Sequence, residues 1–301
     1  MIDFERKPMQ AVEMSYGAPY PADPHSVLEG GDIVMFRSTP YDLAPEDREF
    51  ILGVRLNPEF HKNIAYKPNS DAISGVAKLE PGAAERLHAI LRNYSRRMVE
   101  FAGKVLPQYQ SKWKLDYASL RPVEEQGRVL PMKKRNDLLH TDAFPTRPTN
   151  GGLILRIFSN VHPTKSRVWI TSDPFEHLAE NYAQPAGLAD AARRNAFYGV
   201  RRALGAIGLP VVARSPYDRF MLAFHDYLKA NQEYQSGCPK YRFEFPPGAT
   251  WMVFTDVVPH SVESGQFAME QTLIVARESL AEPQRAPIAI LEKLAGRSLS
   301  V

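Results

Sequence analysis

Proline constrains this chain before anything else: 25 of its 301 residues are proline, spread along the whole length. Proline fixes φ and has no N–H to donate, so it interrupts helix interiors and central strands. A chain punctuated in this way must consist of many short elements joined by turns. No repeat, low-complexity tract or long linker divides it, which suggests a single domain over residues 1–301 with a sizeable core.

One stretch is both long and periodic. Between Pro81 and Leu106, the residues Leu87, Ile90, Leu91, Tyr94, Met98, Phe101 and Val105 recur at three- and four-residue steps, so they line one face of a long helix. Upstream, residues 1–30 read as an irregular arm, "DIVMF" (Asp32 to Phe36) as a short strand, and "APEDREFIL" as a helix start with acidic residues in its first turn. Downstream, "KWKLDYASLRPV" and "GLILRIFSNVHP" have strand character, and a helical insertion is expected over about 174–231. Strands return with "YRFEFPPGATWMVFTDVVPHSV" and "FAMEQTLIVARESL", in which "FPPGATWMVF" reads as a hairpin, and a last amphipathic helix opens at Pro287. This order predicts an α+β fold with a β-sandwich or jelly-roll sheet over about 110–280 and flanking helices.

Composition narrows the function classes. The net charge of +3 and pI of about 8.8 are too mild for nucleic acid as principal partner, and they fit equally an anionic small molecule, an anionic membrane surface, or neither. Cys238 is the only cysteine, so neither an intrachain disulfide nor a thiolate metal cluster can form. "MIDFERKPMQ" lacks the apolar core of a secretory signal, and no apolar run approaches the roughly 20 residues needed to span a bilayer. A cytoplasmic protein, soluble or peripheral to a membrane, is expected.

The candidate chemistry lies in "RNDLLHTDAFPTRP". On extended backbone, residues two apart project to the same side, so His140 and Asp142 can reach one ion together. His260 follows the apolar run "TWMVF" at a strand end and supplies a third ligand. Two histidines and a carboxylate on β elements form the facial triad of non-haem Fe(II) oxygenases, which leaves three adjacent positions for a bidentate keto acid and dioxygen. The same set also binds Zn²⁺ or Mn²⁺, so ligand identity leaves the metal open. In "ARESL", Arg277 and Ser279 lie two apart after the apolar "TLIVA", and an arginine fork with a hydroxyl can hold the distal carboxylate of 2-oxoglutarate. The combination points to an Fe(II)/2-oxoglutarate oxygenase.

The stretch from Trp113 to Phe175, with "LDYASLRPVEEQGR", "KRNDLLHTDAFPTRPTNGG", "LRIFSNVHPTKSRVW" and "TSDPF", resembles the Kdo hydroxylases, bacterial oxygenases acting on 3-deoxy-D-manno-oct-2-ulosonic acid (Kdo) of the lipopolysaccharide inner core. The likeness continues through the distal histidine and arginine. It implies a double-stranded β-helix (jelly-roll) core and hydroxylation at C3 of Kdo already attached to lipid A, met at the cytoplasmic face of the inner membrane. The metal motif carries over onto His140, Asp142 and His260, and the 2-oxoglutarate motif onto Arg277 and Ser279.

An acidic sugar on a phosphorylated lipid calls for basic residues. Lys134 and Arg135 precede the ligand segment and Arg147 follows it; Arg156, Phe158 and Asn160 share a strand face, with Asn160 a candidate for the C1 carboxylate of 2-oxoglutarate. Tyr117 and Arg121 are further candidates for substrate contact. Arg193, Arg194, Arg201 and Arg202, near Phe197 and Tyr198, could lie against anionic lipid. Three alternatives stay open: the same chemistry on a different substrate, a jelly-roll sugar-binding module without turnover, and a zinc hydrolase.

Overall fold

The computed structural model describes residues 8–300 apart from 39–40, 42, 60–62, 194–197, 208 and 210. Eleven strands are found among the described residues: β1 (Ala11–Met14), β2 (Ile33–Phe36), β3 (Ile64–Lys67), β4 (Ala72–Ser74), β5 (Trp113–Arg121), β6 (Leu153–Asn160), β7 (Arg167–Thr171), β8 (Tyr241–Phe245), β9 (Thr250–Phe254), β10 (His260–Ser264) and β11 (Ala268–Val275). A large sheet runs in the order β1-β2-β9-β6-β11-β5-β3-β4, and a small one in the order β10-β7-β8. Apart from the parallel pair β1–β2, every pairing is antiparallel. The two sheets face each other, and the α+β jelly-roll expectation holds.

Alternation along the strands explains the layers. In β6, Leu155 and Ile157 point out of the sandwich and join the cluster under the long helix, whereas Phe158 joins the cluster between the sheets. β6 is therefore buried on both faces along its whole length. The inner cluster is aromatic: Phe245 stacks on Trp251 at 3.9 Å between centroids, and Trp251 on Phe158 at 5.2 Å. Outside, the helix Pro81–Val105 lays its predicted stripe on the large sheet, and its Tyr94 hydroxyl donates towards Ser159 Oγ, 3.3 Å away.

Two expectations need correction. "FPPGATWMVF" is not a hairpin, because β8 belongs to the small sheet and β9 to the large one. The turn at Pro246–Ala249 carries the chain between sheets, so Phe245 and Trp251 stack across the sandwich instead of pairing in one plane. The supposedly irregular arm also contains β1 and a helix, Pro24–Glu29. Buried Glu29 fastens that helix by accepting from Tyr109 Oη at 2.5 Å and from the backbone N–H groups of Ala281 and Glu282. The expected helical insertion is present as four described segments, Phe175–Tyr182, Leu188–Ala191, Tyr198–Ala206 and Pro216–Ala230, followed by Gln232–Gly237.

Candidate active site

Backbone pairing brings the distant ligand segments together. His140 and His260 form an antiparallel bridge, with His260 N donating to His140 O at 2.9 Å and the return bond at 3.2 Å. Asp142 N donates to Thr255 O at 2.8 Å, which seats the next residue but one on the same side. Donor atoms of His140, Asp142 and His260 all lie within 4.8 Å of one another, and all three residues are buried.

The protonation states suit a divalent cation. Nδ1 of His140 lies 2.7 Å from Leu138 O, and Nδ1 of His260 lies 2.9 Å from Val258 O. A carbonyl can only accept, so each Nδ1 carries the proton and each Nε2 keeps its lone pair for a metal. Burial holds both imidazoles below their ordinary pKa, so they are neutral. Burial also pushes the Asp142 carboxyl up, but the charges around it, the Arg156 guanidinium first among them, outweigh this and hold the group well below the usual carboxylate range. Asp142 Oδ2 is buried without a hydrogen-bond partner; Arg156 Nε approaches to 3.2 Å but is misaligned. An orphaned carboxylate oxygen facing two imidazole lone pairs is a donor set that fits a divalent metal such as ferrous iron.

A cavity of about 300 Å³ opens beside the triad, with four arginines (Arg121, Arg147, Arg156 and Arg167) against two carboxylates, Asp142 and Glu270, in its wall. Arg121 grips Glu270 through Nε at 2.8 Å and Nη2 at 2.7 Å, and Arg156 reaches the same oxygen at 3.3 Å. Arg167 is different. It is 1% exposed and no carboxylate among the described residues lies within ion-pairing distance; Nη1 donates to Gly265 O at 3.1 Å, and Nε has no partner. Burial lowers its pKa to about 10. Gly265 has φ 129°, and a Cβ there would meet Arg167 Cγ at 2.8 Å, so only glycine lets the two stack. Two residues along β7 on the same face, Trp169 stacks on His260 at 4.9 Å and has a buried indole N–H without a partner. Buried donors left unsatisfied beside a cavity can serve an acceptor bound in it.

Of the residues predicted for substrate or co-substrate, Tyr117, Arg121, Arg147 and Arg156 line the cavity. Arg277 and Ser279 do not: β11 ends at Val275, and Arg277–Ser279 form a 3₁₀ turn beyond it. There Arg277 pairs with Glu292 at 3.2 Å, and Ser279 Oγ donates to Ala276 O. Asn160 faces inward but spends its amide on Lys165 O and Phe245 O, bracing the sheet-to-sheet corner. Arg135 pairs with Asp137, and neither it nor Lys134 lines the cavity. Arg194 and Phe197 of the basic face lie outside the described residues.

Sequence reasoning missed Arg167, Trp169, Glu270 and His225. The first pair left a signal in "KSRVWI", where arginine and tryptophan alternate inside an apolar strand. His225 left none: the helix Pro216–Ala230 delivers it edge-on to His140 at 4.9 Å only through tertiary packing.

Comparison with known proteins agrees with this geometry. The family model of 3-deoxy-D-manno-oct-2-ulosonic acid (Kdo) hydroxylase matches residues 17–298. Among solved structures, the chain is similar to the Kdo hydroxylase KdoO, a non-heme Fe(II) alphaketoglutarate dependent dioxygenase. Its complex with alphaketoglutarate and Fe(III) is 32% identical, with a TM-score of 0.79 over 96% of this chain and 97% of that one. Its apo form is 33% identical, with a TM-score of 0.81 over 97% of each chain. The cobalt(II) complex is 32% identical, with a TM-score of 0.80 over 96% and 97%. No curated sequence matches. With the match running through both ligand segments and the arginine-lined cavity, this chain belongs to the Kdo hydroxylase family.

Proposed function

We propose that this protein is an Fe(II)/2-oxoglutarate-dependent dioxygenase that hydroxylates Kdo, with His140, Asp142 and His260 holding the iron. One observation carries the site assignment: buried Arg167 and Trp169 offer unsatisfied donors beside the triad. Bound there, ferrous iron and 2-oxoglutarate supply dioxygen activation, coupling decarboxylation of the keto acid to succinate with insertion of one oxygen atom into a C–H bond.

The chain's own residues orient these partners and keep them dry. Arg167 and Trp169 receive the distal carboxylate of 2-oxoglutarate, the role that Arg277 and Ser279 are too remote to fill. Arg156 sits between Asp142 and Glu270 and fixes the ligand carboxylate from behind. Phe158, Trp169 and Val262 line the inner wall with apolar surface, which excludes water from the reacting carbon. Arginine excess in the wall suits two acids, the keto acid and the sugar.

The finer assignments follow from substrate chemistry. Kdo lacks a hydroxyl at C3, and we assign that methylene as the oxidised carbon. Kdo-lipid A is the proposed carrier, met at the cytoplasmic face of the inner membrane. Among the described residues no helix is long and apolar enough to cross a membrane. The helix Tyr198–Ala206 instead supports a peripheral contact: Val200 is 55% and Ile207, just beyond its end, 75% exposed, beside exposed Arg201 and Arg202. Apolar and cationic side chains together suit an anionic lipid surface.

The test is incubation of purified protein with Kdo-lipid A, Fe(II), ascorbate and 2-oxoglutarate. Gain of one oxygen on the sugar by mass spectrometry, with stoichiometric succinate, is expected. Sugar binding without succinate would indicate the binding module, and succinate formation stimulated only by another acceptor would indicate a different substrate.

A further inference from the structure

The cavity must take two anions, and Arg167 accounts for one. Kdo is an acid in its own right: its systematic name places a carboxyl at C1, next to the anomeric C2 and the deoxy carbon C3. A group that reads this carboxylate must sit in the cavity wall, close to the metal, and not on the remote surface.

Among the arginines in that wall, Arg121 and Arg156 are committed to Glu270 and Asp142, and Arg167 lies fully buried. Arg147 stands apart. It arises from the loop just after Asp142 and is half-buried in the cavity wall. Its guanidinium carbon lies 4.0 Å from the Tyr117 ring centroid and 4.3 Å from that of Phe144. Both rings hold the cation by cation–π contact, and Nη1 is paired with Asp116. With Nη1 taken by Asp116, the other N–H groups of the fork are left for a ligand carboxylate. The arginine is already ordered, so little side-chain entropy is lost on binding.

Its neighbours place it near the chemistry. The Phe144 ring, which Arg147 approaches, also lies 5.5 Å from the guanidinium of Arg156, the residue touching Asp142. Asn63 and Ser74, from the β3–β4 edge, line the same cavity with an amide and a hydroxyl suited to sugar hydroxyls. We propose that Arg147, clamped by Tyr117, Phe144 and Asp116, is the specificity-determining residue for the acidic sugar. It pairs with the C1 carboxylate and thereby sets C3 over the metal. This inference rests on the Kdo reading above.

The test compares Kdo-lipid A with an analogue whose C1 carboxyl is reduced to the alcohol, using wild-type enzyme, Arg147→Leu and Arg147→Lys. Losing a charge-assisted pair should lower kcat/KM on Kdo-lipid A by about 10- to 100-fold in Arg147→Leu. Turnover of the alcohol analogue and the KM for 2-oxoglutarate should stay within about twofold, so discrimination between the two sugars collapses; Arg147→Lys should restore part of it. Equal losses on both sugars, or wild-type discrimination in Arg147→Leu, would overturn the assignment while leaving the Kdo reading intact. If Arg147→Leu fails to fold, Arg147→Gln with the same pair of sugars decides the point. A wild-type enzyme that oxidises neither sugar would overturn the Kdo reading and this inference with it.

Discussion

At the level of single residues, the difference between Arg277 and Arg167 is one of strand register. Both follow or interrupt apolar runs, but β11 ends at Val275 and turns Arg277 out to Glu292, while Arg167 opens β7 on the inward face. Arg167→Leu should therefore raise the KM for 2-oxoglutarate by about 10- to 100-fold, the cost of one charge-assisted contact. Arg277→Ala should leave it within about twofold, and steady-state kinetics with varied 2-oxoglutarate will separate the two. The metal triad makes a stricter demand. Asp142→Ala removes the only carboxylate of the triad, so both Fe(II) binding by calorimetry and succinate formation should vanish; retained turnover would remove Asp142 from the site. His140 and Asp142 were legible because a two-residue step on extended chain has one outcome, and His260 because an apolar strand leads to it. Asn160 was misread: period-two alternation placed it on the inward face, but not at which end of the strand the cavity lies.

At the level of elements, the helix Pro81–Val105 and strand β6 follow their sequence periods closely, since each has a face whose burial nothing else can satisfy. The segment from β8 to β9 does not, because a strand–turn–strand pattern is the same whether the turn stays within one sheet or crosses to its neighbour. The helix Tyr198–Ala206 lays exposed apolar and basic side chains beside each other. If this element meets lipid, Ile207→Glu combined with Arg201→Glu and Arg202→Glu should weaken sedimentation with phosphatidylglycerol vesicles at least about tenfold, each cation contributing on the order of 1 kcal/mol. Turnover of a water-soluble Kdo glycoside should be unchanged. Equal vesicle binding by the variant would rule out this helix as the contact.

Across the whole molecule, one buried carboxylate ties three strands of the large sheet. Glu270 of β11 pairs with Arg121 of β5 and Arg156 of β6. Burial alone would raise its pKa, yet the two guanidinium groups reverse this and bring it to about 2, from an ordinary 4.5. A folded pKa below the unfolded one means stability that is present above about pH 4.5 and lost as pH falls towards about 2. Glu270→Gln should therefore lower unfolding free energy at neutral pH by about 3–5 kcal/mol, because it strands buried cations, and should flatten the pH dependence across that window. Urea unfolding at a series of pH values measures both. The sequence by itself determined the α+β class, the long helix, the buried strands and the His140–Asp142 pair as candidate ligands, since each rests on local periodicity or on residues spaced along one extended segment. Only the tertiary structure decided that His260 joins this pair, which arginines line the cavity beside the triad, that His225 packs on His140, and that the N-terminal residues add a strand to the large sheet. The physical reason is that a side chain's partner across a cavity depends on where two sheets meet and where each strand stops, and neither is encoded within any one segment.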